Sequence, residues 1–161
     1  MSTAVTDSSQ LVVFVLDGQR YALPLPAVER VVRAVEVTVL PEAPPIVTGV
    51  INIQGRVVPV VDLRKRFHLP ERAVDPEDHF IVARSSTGVV ALPVDEAEGL
   101  VRDLSGERVA AAEIVPDLNY VDQVFLIGPE MVFVLAIDTV LTDEEELVLA
   151  DSLLSADVAC D

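Results

Sequence analysis

The chain has 161 residues and a net charge of −16; 51% of it is hydrophobic, only 4% is aromatic, and tryptophan is absent. That length can bury a good-sized core, which must be aliphatic, and the abundant valines suit the pleated, half-buried surface of a sheet. The charge sets aside nucleic acid and anionic lipid headgroups as general partners, and most of it serves to keep an apolar chain soluble.

Residues 1–10 are polar, carry no Lys or Arg and lack the parts of a secretory signal. They read as a disordered lead, with residues 11–158 as one folded domain. Leu11–Leu16 is an apolar run that ends at Asp17-Gly18, a hairpin signal, and Arg20–Leu23 is the return strand. Pro24 and Pro26 break it, and Ala27–Arg30 reads as a helical turn. Val31–Val39 resumes a strand-like alternation, and the prolines of 41–45 make a stiff loop. Val47–Ile53 and Arg56–Val61 flank Gln54-Gly55 as a second hairpin, and Asp62 is placed to cap a short helix through Phe67. Phe80–Arg84 and Val89–Val94 form a third hairpin. The chain then crosses over at 95–100 to a strand near Leu100–Leu104. Gly106–Pro116 reads as a loop with weak helix, and Asn119–Ile127 with Met131–Ile137 as a fourth hairpin. Thr142 and Glu145 make a capping box for a helix over 142–158, whose Leu147, Ala150, Leu154 and Val158 recur on one face. About nine or ten short strands at hairpin spacing predict an all-β barrel or sandwich.

Chemistry is sparse. His68 and His79 stand in isolation and read as surface residues rather than metal ligands. No glycine-rich phosphate loop or nucleophile elbow occurs. Cys160 is the only cysteine, which fits a reducing compartment. Asp62 reads as a helix cap, with a buried cluster of Asp62, Asn52 and His79 as the alternative that a small barrel enzyme or ligand-binding subunit would need. Arg64-Lys65-Arg66 reads as a solvated helix face, or as a contact for an acidic partner. The apolar runs fall short of the about 20 residues that span a bilayer. A cytoplasmic, non-catalytic protein without cofactor or metal is expected.

The segment Gly49-Val50-Ile51-Asn52-Ile53-Gln54-Gly55-Arg56-Val57-Val58-Pro59-Val60-Val61-Asp62-Leu63-Arg64 resembles the signature of CheW-like domains. The resemblance takes in Phe14–Gly18, Tyr21–Pro24, Val28–Val32, Leu40-Pro41, Ala43-Pro44, Val89–Asp95 and Ile137–Leu141, so it runs from about Leu11 to Leu154. It implies a fold of two intertwined small SH3-like β-barrels that share a hydrophobic core. It also implies a non-enzymatic signal-transduction adaptor between the cytoplasmic tip of methyl-accepting chemotaxis receptors and the regulatory domain of a CheA-type histidine kinase. The receptor tip would lie in a groove between the barrels, and the kinase would meet a barrel end. A CheW-like module in another two-component route, such as surface motility, is the alternative. Carried over by position, Val28, Arg30, Gly49, Asn52, Gln54, Phe80 and Leu100 are partner-binding candidates. Each is also readable as structural, Gly49 as a close backbone approach and Asn52 as a side chain bonded to backbone. The family often has an acid where Arg30 stands and an arginine where Gln54 stands, so an ion pair expected there is replaced, as in a specialised paralogue.

Overall fold

The computed structural model describes residues 10–86, 88–101, 107–110, 121–127, 130–142 and 144–151. Among them are eleven strands: β1 Leu11–Leu16, β2 Gln19–Pro24, β3 Val28–Arg33, β4 Val47–Ile53, β5 Arg56–Val61, β6 His79–Arg84, β7 Val89–Val94, β8 Glu96–Val101, β9 Glu107–Ala110, β10 Val121–Ile127 and β11 Glu130–Leu135. Helix α1 is Leu63–Arg66, and residues 144–151 form α2.

Turn chemistry places the first hairpins. Asp17 and Gly18 have φ of 56° and 80°, and Gln54 and Gly55 have 53° and 84°. Two successive left-handed residues make the two-residue turn whose twist matches the strands it joins, and glycine takes the second position without strain. Leu16 thus pairs with Gln19, and Ile53 with Arg56.

The strands form two sheets, one ordered β8-β1-β2-β11-β10-β9 and the other β3-β6-β7-β5-β4. The chain begins in the first, makes the whole of the second, and returns to complete the first. This path intertwines the halves and supplies the long excursion that the parallel pair β2–β11 requires, while α1, the loop after it and β6 supply the one for β5–β7. β3 and β4 are the edges of the five-stranded sheet, and the chain beyond β3 draws them together. Thr38 donates to the Val50 carbonyl at 2.8 Å and accepts from the Val50 amide at 2.7 Å. Because Val50 spends both backbone groups on Thr38, its pairing with Pro59 leaves no β4 donor or acceptor waiting for the N–H that proline lacks.

Burial on both faces explains why β1 and β6 are continuous apolar runs. On β6, Phe80 and Val82 point into the five-stranded half with Ile51, Val58, Val60 and Ala91. Ile81 and Ala83 point the other way, into a larger core with Phe14, Leu16, Tyr21, Leu23, Leu92 and Leu135 from both sheets. Leu11, Val13, Ala22, Val132 and Val134 fill the six-stranded half. The result is the expected all-β fold of two intertwined SH3-like barrels around a shared core.

Several local expectations need correction. The turn near 27–30 is a 3₁₀ turn at Leu25–Ala27, and Val28 already pairs with Ala83 in a strand. The alternation through Val39 ends as a strand at Arg33, because the chain leaves β6 to reach β4. The crossover at 95–100 is strand β8, and the loop at 106–116 contains strand β9. The capping box forms as read: the Thr142 amide donates to Glu145 Oε1 at 2.9 Å, and the Glu145 amide donates to Thr142 Oγ1 at 3.1 Å. Glu145 also pairs with Arg66 of α1. That anchor turns Leu149 inward, so Leu149 packs in the shared core while Leu147 is 74% exposed. The continuation over 152–158, with Leu154 and Val158, lies outside the described residues, as do residues 1–9 and Cys160. Thr142→Ala should cost about 1 kcal/mol, read as a lowered melting temperature.

Candidate functional site

Six of the seven candidates lie in the five-stranded half. Gln54 and Asn52 are exposed at the β4–β5 turn, where Asn52 Oδ1 accepts the Gly55 amide at 2.7 Å. Asn52 therefore has the backbone partner expected of it. Gly49 is buried on β4, and a Cβ there would stand 2.3 Å from the Thr38 carbonyl oxygen. Phe80 is fully buried, so it shapes the barrel from inside and offers no surface of its own. Val28 is half-buried against the shared core, and Arg30 is half-buried on β3. Leu100 is apart from them on β8, an edge of the other sheet, with its backbone opposite Val12.

An ion pair does cross this barrel end, between residues that the sequence reading missed. Register slips between Val28 and Arg30, which leaves Glu29 as a bulge residue. Its carboxylate pairs with Arg56, just past the β4–β5 turn, and lies 4.0 Å from Arg84 Nε. Arg30 and Gln54 are thus bypassed by their neighbours. The signal was present in the sequence as an acid beside Arg30 and a base beside Gly55, but only the bulge reveals that they meet.

A second charged group lies between the sheets. Arg64, read from sequence as part of a solvated helix face, is only 8% exposed. Its Nη2 donates to both oxygens of Asp95 at 2.8 and 2.9 Å, and its Nη1 donates to the Pro70 carbonyl at 3.0 Å. Asp17 lies 3.5 Å from Nη1. Arg72 links Asp95 to Asp78, and the Asp17 amide donates to Asp95 at 2.9 Å. Asp62, the enzyme alternative's central residue, accepts the Arg64 amide at 2.9 Å and so caps α1. Burial pushes the Asp95 carboxyl up, but the Asp17 amide, Arg64 and Arg72 more than offset this and hold it below the usual range. As pH falls, the unfolded chain takes up this proton first, near its ordinary value of about 3.9. The stability Asp95 contributes is present above that pH and is lost as pH falls through the lower folded value. Thermal melts at descending pH should show this loss, and Asp95→Asn should reduce the slope.

Beside the barrel end, a groove of about 690 Å³ runs between the five-stranded sheet and α2. Val57, Pro59, Val89 and Val90 make one wall, Leu141, Leu147 and Ala150 the other, and Arg56 and Glu146 stand among them.

Two interleaved barrels with an apolar groove that carries Arg56 and Glu146 make a scaffold with a surface suited to binding a partner. The CheW-like domain model matches residues 10–145. The chemotaxis protein CheW of Bacillus subtilis (strain 168) is 32% identical over 113 residues, 70% of this chain and 72% of the relative. CheW of Klebsiella aerogenes is 24% identical over 151 residues, 92% of this chain and 90% of the relative. The crystal structure of the scaffolding protein TtCheW from Thermoanaerobacter tengcongensis superposes with a TM-score of 0.76 at 24% identity, covering 86% of this chain and 95% of that one. The chain belongs to the CheW-like domain family, and it is a chemotaxis coupling adaptor.

Proposed function

We propose that this adaptor joins the cytoplasmic tip of a methyl-accepting receptor to the regulatory domain of a CheA-type histidine kinase, in the cytoplasm and without catalysing a step. The observation that carries the reading is the apolar groove beside α2, in a chain whose family match spans residues 10–145. A helical hairpin tip offers apolar side chains at helical spacing, which such a groove accepts. Val35 and Val39, exposed on the segment that closes the five-stranded barrel, suit the kinase domain. Such contacts are apolar with polar edges, which agrees with the valine-rich surface. Of the carried-over residues, Arg30, Asn52 and Gln54 serve as direct contacts. Gly49 and Phe80 set the shape beneath them, Val28 sits at the edge of the shared core, and Leu100 marks the six-stranded side. No helix among the described residues is long and apolar enough to cross a membrane.

Reconstitution tests the reading. The purified chain should retain the kinase regulatory domain and the receptor tip together, and receptor control of kinase autophosphorylation should require it. Binding to neither would overturn the assignment.

A further inference from the structure

Positive charge is scarce in this chain, with 11 Lys and Arg against 27 Asp and Glu. Four of the described arginines are matched by carboxylates away from β3: Arg20 by Glu98, Arg64 by Asp95, Arg66 by Glu145, and Arg72 by Asp78 and Asp95. The bulged start of β3 departs from this pattern. There Glu29 pairs with Arg56, has Arg84 at 4.0 Å, and is followed directly by Arg30. Arg30 has no ion pair among the described residues. Two guanidiniums, Arg56 of β5 and Arg84 of β6, thus share one carboxylate, and Arg30 follows it along β3. The hydrogen bond from Arg56 lowers the Glu29 pKa, burial opposes this, and the charges of Arg56, Arg84 and Arg30 lower it further. Glu29 therefore remains ionised and offsets only one of the three cations.

The cluster adjoins the groove through Arg56, which lines one wall while Glu146 stands on the other. Arg84 is tied to that point through Glu29, which Arg56 pairs with and which lies 4.0 Å from Arg84 Nε. The side chain of Arg84 is 62% exposed, so a docked partner can reach it.

We propose that Arg56 and Arg84, with Arg30 on the adjoining strand, receive an acidic side chain of the receptor tip seated in this groove, so that the tip served by this adaptor carries a carboxylate at the Arg56 end of the groove. The proposal rests on the receptor-coupling reading and deepens it by assigning the partner's charge. Charge complementarity favours this occupant: guanidinium forks match carboxylates in geometry as well as sign. In a chain otherwise strongly negative, a local cationic edge also orients an approaching acidic partner and rejects a basic one.

The test titrates the full chain with the purified cytoplasmic tip hairpin of a receptor from the same organism, at several salt concentrations, with the kinase regulatory domain as a parallel ligand. Arg84→Glu should weaken tip binding by about tenfold and reduce its salt dependence, while kinase-domain binding stays at the wild-type level. Replacing the matching tip Asp or Glu by Arg should restore binding to Arg84→Glu. Arg30→Glu provides a second variant, and retained kinase-domain binding reports that each variant is folded. Wild-type tip affinity and salt dependence in both variants would overturn the proposal, as would loss of the kinase domain in place of the tip. Failure of the wild-type chain to bind the tip would overturn the receptor-coupling reading itself, and the charge assignment with it.

Discussion

Replacing Arg64 with alanine is expected to lower stability by about 3 kcal/mol, which corresponds to a fall in melting temperature of about 6–12 °C for a domain of this size. The expectation rests on what the guanidinium joins. Arg64 begins on α1, reaches the Pro70 carbonyl in the following loop, faces Asp17 in the β1–β2 turn and holds Asp95 in two hydrogen bonds. Asp95 stands between β7 and β8, where the chain passes from one sheet to the other. The pair therefore pins the crossing between the halves. Removing one member of a buried pair leaves the other charged and poorly solvated, which typically costs about 3–5 kcal/mol. Asp95 keeps Arg72, the Asp17 amide and some solvent, so the low end of that range applies. Arg72→Ala is the control. Its own side chain is more exposed, but it also pairs with the buried Asp78, which keeps the Asp75 amide, so it should cost about 1–2 kcal/mol, less than Arg64. Urea and thermal unfolding of both variants decide the matter. Equal small losses would mean that Arg64 is not the tie between the sheets.

How much was legible in the sequence follows from the distance over which each feature is determined. The Asp17-Gly18 and Gln54-Gly55 turns, the Asp62 cap and the Thr142–Glu145 box are decided by residues within a few positions, and all four were readable. The intertwined barrels followed from the Gly49–Arg64 signature and its ordered companions rather than from periodicity. Strands buried on both faces carry no alternation to read, as β6 illustrates. Arg64 was missed because its burial depends on Asp95, 31 residues away, while the local run of Arg64, Lys65 and Arg66 looks like any solvated helix face. Leu147 and Leu149 both fit a helical period, and only the pairing of Glu145 with Arg66 decides which of them turns inward. At the candidate site the turn residues were legible. The Glu29–Arg56 pair was not, because it exists only once a bulge on β3 swings Glu29 toward a hairpin two elements further on.

The second large effect is expected at Gly49, where the choice between a contact residue and a structural one can be made by substitution. Gly49→Ala should destabilise the chain by about 2–3 kcal/mol, as overpacking of a tight site does. The conflict is with backbone and cannot be relieved by a rotamer change. The added Cβ would lie 2.3 Å from the Thr38 carbonyl oxygen and 2.8 Å from Val37 Cγ1. The same carbonyl accepts the Val50 amide, so any movement that makes room lengthens the bridge drawing β3 and β4 together. Space, rather than an unusual φ, is what requires glycine here, since Gly49 is not among the left-handed residues. Amide exchange should localise the damage, with protection lost first at Thr38 and Val50 while the Ile81 and Leu92 amides in the sheet interior follow global stability. The two roles then separate cleanly. If Gly49 is structural, partner affinity in the folded fraction stays near the wild-type level while the melting temperature drops. If it is a contact, Gly49→Ala keeps its melting temperature and exchange pattern and loses the partner. The 2.3 Å approach favours the first outcome, because a glycine already filled by its own chain has no open face to present to another.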